Sequence, residues 1–76
     1  MDTANAVHED MLEFATRWYR LGGGPSDEIY SRFGMSDRTF FGQLNDLVEN
    51  QDLDTLAPRD VEVMRAVIRR RLWLAR

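Results

Sequence analysis

The residues best equipped for recognition chemistry fall on one helical stripe, Arg38, Gly42 and Asn45 with Thr39 beside it, in the stretch "FGMSDRTFFGQLN" (33–45). An arginine fork pairs with the O6/N7 edge of guanine, and an asparagine amide pairs with the N6/N7 edge of adenine. Asn45 suits equally well a bond to a neighbouring backbone. Gly42 is disfavoured inside a helix by about 1 kcal/mol relative to alanine. On an outer stripe it leaves room for another backbone, either a DNA phosphate or a protein helix. A second set of cations, Arg65, Arg69, Arg70 and Arg76, rides outside the C-terminal pattern. These suit phosphate contacts, whose strength falls with salt. Arg69, Arg70 and Arg71 point about 100° apart around a helix, since successive residues advance by 1/3.6 of a turn. The competing reading is therefore a helix end whose arginines complement the dipole and pair with acids from elsewhere.

Three residues pull the same face toward a different job. Asp46 and Glu49 would repel phosphates, and Phe41 lies at the border of the core stripe. Together they would make an acidic docking face for a basic protein partner, with Phe41 as its anchor. The packing alternative sets Phe40 and Phe41 against Trp18 and Tyr19. Asp37 weighs on neither side, because an acid in a first helical turn is favourable.

Catalytic and metal chemistry find no support. His8 is the sole histidine and there is no cysteine. No carboxylate cluster has histidine or cysteine company for a metal. "GGGP" (22–25) ends a helix and is no phosphate loop, which would need a preceding strand. We expect no enzyme, no cofactor, no metal and no small-molecule substrate.

The elements that must position these groups follow from composition and period. Seventy-six residues allow one domain, burying roughly 60–65% of the unfolded surface. Hydrophobic content of 43% with eight aromatics is too rich for a disordered chain. No apolar run suits a membrane span, and no signal-peptide pattern opens the chain, so a cytoplasmic setting without membrane contact is expected. The net charge of −3 opposes general attraction to nucleic acid, but from Val63 onward there are five arginines and no acid. Every one of the ten basic residues is arginine.

Residues 1–6 read as a flexible N-terminus, and 7–76 as one helical domain. Val7, Met11, Phe14, Trp18 and Leu21 recur at helical spacing, widened by Leu12, Ala15 and Tyr19. After "GGGP", a short helix begins at Pro25 or Ser26 and offers Ile29, Tyr30 and Phe33 to the core. Gly34 suits a left-handed helix stop, Met35 points inward, and Ser36 caps the third helix. There Phe40, Leu44, Leu47 and Val48 form a core face. A last helix, about 57–75, opens at Pro58 and buries Val61, Met64, Val67 or Ile68, and Leu72. The expected fold is all-α: a compact four-helix domain containing a sigma-factor-like helix-turn-helix at about 26–49.

"EIYSRFGMSDRTFFGQL" (28–44) resembles the "EIA-x-x-LG-[IM]-S-x-x-TV-x-x-x-L" pattern of sigma-factor-like and response-regulator helix-turn-helix units. Tyr30 stands where that pattern has a small alanine, which implies a wider spacing of the two helices. Phe40 replaces a β-branched residue. A closer resemblance spans nearly the whole chain. "MLEFATRWYRLGG", "EIYSRFGMSDRTFFGQLNDLVEN" and the arginine-rich tail are similar to a family of small actinobacterial proteins, also found in their phages. Members run "ILDFExxWW", "AIRExFxMSxxxYYQxLNxLLD" and a basic "RLRR" end. The match rests on Leu12, Phe14, Trp18 and Tyr19 in the first block. In the second it rests on Ile29, Phe33, Met35, Ser36, Phe40, Phe41, Leu44, Asn45, Leu47 and Val48. Gly42, Gln43 and Pro25 depart from it. That family is a domain of unknown function with an expected helix-turn-helix, so the resemblance implies a fold and no activity. The leading expectation is a DNA-binding or transcription-associated regulator acting on double-stranded DNA, as a homodimer or with a protein partner. The alternative is a protein-interaction module using Phe41, Asp46 and Glu49 on a host or cellular partner.

Overall fold

The computed structural model describes residues 3–50 and 56–75, with side chains from residue 6 onward. Its elements are α1 (Thr3–Trp18), a 3-10 turn (Tyr19–Leu21), α2 (Ser26–Phe33), α3 (Asp37–Asn50) and α4 (Pro58–Leu74). Among the described residues there is no strand, and no helix is long and apolar enough to cross a membrane. The fold is an all-α single domain.

One aromatic cluster ties α1, α2 and α3 together. Phe14 meets Phe33 and Phe40 edge-on, each at 5.6 Å between ring centres. Phe40 also packs at 5.1 Å from Phe33 and 5.0 Å from Phe41. Edge-to-face pairs at this range add about 0.5–1.5 kcal/mol beyond area burial. Phe40 thus finds Phe14, one turn before the expected Trp18, and Trp18 instead stacks on Phe14 at 6.0 Å. Met64 and Ile68 bring α4 into the same core, as do Met11, Ile29, Leu44 and Val48 from the other helices. The choice left open between Val67 and Ile68 resolves with Ile68 buried and Val67 half-buried.

Two expected core positions lie outside. Leu21 is 72% exposed. The stripe ends because the chain tightens into a 3-10 turn after Trp18, and its 120° step rotates Leu21 off the 100° helical track. Tyr30 is 68% exposed, one helical step past the buried Ile29, so it sets no spacing between α2 and α3. Other local expectations hold. Gly34 adopts φ 67° and ψ 24° and donates its N–H to Tyr30 O at 2.8 Å. The Ser36 hydroxyl accepts the Thr39 N–H at 3.3 Å, capping α3.

An alanine Cβ at Gly42 would meet nothing within 4 Å. Nothing among the described residues uses the gap. Gly42→Ala is therefore expected to stabilise the domain by about 0.5–1 kcal/mol, raising the thermal midpoint by roughly 2–8 °C for a chain of this size. A lower midpoint in a circular-dichroism melt would contradict the open space at that position.

Candidate nucleic-acid interface

Arg71 organises the surface on which the candidate residues sit. It lies 7 and 3 residues beyond the buried Met64 and Ile68, on the inward stripe of α4. A guanidinium there must find partners, since an unpaired buried charge is costly. It donates to the carbonyls of Gly22 at 2.9 Å and Gly24 at 2.6 Å. It also reaches Asp37 Oδ2 at 2.9 Å and Ser26 Oγ at 3.4 Å. Its plane covers the Phe41 ring, 4.7 Å from the centre. One side chain thereby binds the glycine turn, the start of α2 and the start of α3 to the end of α4. Nothing in the charge pattern of Arg69–Arg71 singled it out, but its place on the core stripe was a usable signal.

Asp37 is the other half of this device. Burial alone would raise its carboxyl pKa. The Ser26 hydroxyl, donating at 2.6 Å, and the hydrogen bond and charge of Arg71 outweigh that and hold it below the ordinary carboxylate value. Its charge is thus matched within the fold.

The Arg71–Asp37 pair joins the last turns of α4 to the first residue of α3, and Asn45 and Glu49 later in α3 lie beside Glu62, Arg65 and Arg69 earlier in α4, so the two helices run antiparallel. Along them, Asn45 and Glu49 from α3 and Glu62, Arg65 and Arg69 from α4 line one open cleft of 220 Å³. Asn45, Arg65 and Arg69 are therefore brought together. Arg38 is exposed at the α3 end nearest Arg71, and Thr39 is exposed while its N–H and hydroxyl engage Ser36. Gly42 is half-buried on the same stripe. Arg70 is exposed and lines no part of the cleft, and Arg76 lies outside the described residues.

Of the acidic docking set, Asp46 and Glu49 are exposed, but Phe41 is 1% exposed. The role of Phe41 as a surface anchor is corrected. Its ring is enclosed by Phe40, Arg71 and the glycine turn, where a Cβ on Gly23 would come within 3.1 Å of it. It also shares an apolar lining with Tyr19, Met64 and Ile68. The packing alternative thus accounts for Phe41.

No curated protein and no solved structure matches the chain. A family model described as a protein of unknown function matches residues 5–72. With that match running from the first turns of α1 nearly to the end of α4, the chain belongs to the DUF3263 family.

Proposed function

We propose that the chain is a small DNA-binding or transcription-associated regulator whose α2–turn–α3 unit acts as a helix-turn-helix on double-stranded DNA. The observation that carries this reading is the antiparallel pairing of α3 and α4. It sets Arg65 and Arg69 beside Asn45, on the stripe that begins at Arg38. The first half of α3 offers Arg38, Thr39 and Gly42 without an unmatched acid, because Asp37 is paired with Arg71. Glu49 and Glu62 keep a duplex from the far end of the cleft, beyond Asn45 and Arg65, since both would repel phosphates. The rival reading, an acidic docking face, keeps Asp46 and Glu49 and loses its apolar anchor. One module of this size supports a small interface, so a second copy or a protein partner is expected for specific binding.

Gel retardation of duplex DNA at rising salt tests the reading. With Arg65, Arg69 and Arg70 as phosphate contacts, affinity should fall roughly 40-fold between about 50 and 200 mM salt. Arg38→Ala should cost about 1–3 kcal/mol and relax base preference. A chain that retards no duplex at low salt is no DNA-binding protein of this kind.

A further inference from the structure

The cleft between α3 and α4 carries two charges of each sign, yet none of them forms an ion pair among the described residues. Arg65, Arg69, Glu49 and Glu62 stay unpaired there, although Glu62 and Arg65 stand one turn apart on the same helix. The Nε of Arg65 is buried and has no hydrogen-bond partner among the described residues. No bond from that atom fixes the guanidinium of Arg65 to its neighbours, and no ion pair does so among the described residues. Arg69 follows one turn later on the same wall, and Asn45 lines the cleft from α3. A guanidinium presents its donors in a planar fork matched to the oxygens of phosphate or carboxylate. The cleft's 220 Å³ lies below the ~300–1,000 Å³ of pockets that enclose whole drug-sized ligands. It suits a single head group.

We propose that Arg65, with Arg69 and Asn45, holds one phosphate-type oxyanion in this cleft, Arg65 binding it through the part of its guanidinium that lines the cleft. A free phosphate and a backbone phosphodiester share this chemistry, and only the second source rests on the DNA reading above. Glu49 and Glu62 set the affinity. Each opposes an anion, so binding is weak unless the group is placed against the arginines and away from the acids.

The experiment follows the Arg65 Nε–Hε signal of the full chain by nitrogen-15 NMR. Inorganic phosphate is titrated against sodium chloride at matched ionic strength, and a short duplex is titrated separately. Phosphate is expected to shift the signal saturably where chloride does not. Arg65→Lys keeps the charge but lacks the fork. It should weaken the phosphate response at Arg69 and Asn45 at least ten-fold while the melting curve confirms folding. Glu62→Gln, at an exposed site, should tighten phosphate several-fold. Saturation by phosphate with no duplex binding supports the cleft and identifies the free anion, while the DNA reading falls. A response to the duplex alone supports the cleft with a phosphodiester in it. The proposal is overturned if neither moves the Arg65 signal, whatever the duplex does elsewhere on the protein. It is equally overturned if chloride matches phosphate, if Arg65→Lys responds like the parent, or if Glu62→Gln leaves the affinity unchanged.

Discussion

Gly24→Ala is expected to remove about half of the domain's stability. Gly24 has φ 108°, and an added Cβ would lie 2.5 Å and 2.7 Å from Phe14 Cε1 and Cζ. Phe14 cannot yield easily, because it is 1% exposed and held by Trp18, Phe33 and Phe40. Backbone strain at positive φ costs about 1–3 kcal/mol, and forcing a packed ring aside costs about 1–3 more. Together they take roughly 2–6 kcal/mol from the roughly 4–11 expected of a domain this long. Gly22→Ala is the control. Gly22 has φ 92° but nothing within 4 Å of its would-be Cβ, so it bears the backbone cost alone. Urea midpoints of the two variants should differ clearly, with Gly24→Ala the lower. Equal losses would mean that the approach of Gly24 to Phe14 contributes nothing.

That contrast marks where sequence reasoning succeeds. The stop before α2, the Gly34 turn, the Ser36 cap and the Phe40–Leu44–Val48 face are local patterns, and local patterns leave a period or a residue type to read. Gly22, Gly23 and Gly24 look alike as "GGG", yet only the two buried ones meet side chains from α1, α3 and α4. The same limit hides the candidate interface. Each stripe of α3 and α4 was legible by itself, but the proximity of Asn45 to Arg65 and Arg69 depends on how the two helices are aligned. That alignment is set by contacts between residues 34 to 49 positions apart. Leu21 fails for a different reason. The chain switches from α to 3-10 geometry at Tyr19, directly before the glycine turn, and no feature of "WYRL" announces it.

The alignment itself can be tested at Arg71, where Arg71→Met should cost about 2–4 kcal/mol. Methionine keeps the apolar stem over Phe41 but gives up the bonds to Gly22, Gly24, Ser26 and Asp37. Hydrogen bonds to a charged group contribute about 1.5–3 kcal/mol, and the ring contact adds roughly 0.5–2. The two ion-pair side chains retain 17% and 22% exposure, so solvent screening keeps the total well below a simple sum. Acid dependence identifies the partner. The folded carboxyl of Asp37 is depressed, chiefly by Ser26 and Arg71 acting against burial. Its stabilisation is therefore complete above the unfolded value near about 4 and disappears as pH falls through the lower, folded value. Arg71→Met removes that cationic influence, so its unfolding midpoint should fall less steeply than the parent's on acidification below about pH 4. A double-mutant cycle with Asp37→Asn should return a coupling of about 1–3 kcal/mol. Parallel acid slopes, or a coupling near zero, would remove the Arg71–Asp37 pair from the account of how α4 is held on α3. If the pair does hold them, the folded fraction of Arg71→Met should also bind phosphate and duplex more weakly. Arg65 and Arg69 would then be released from their register with Asn45, although none of the three had been changed.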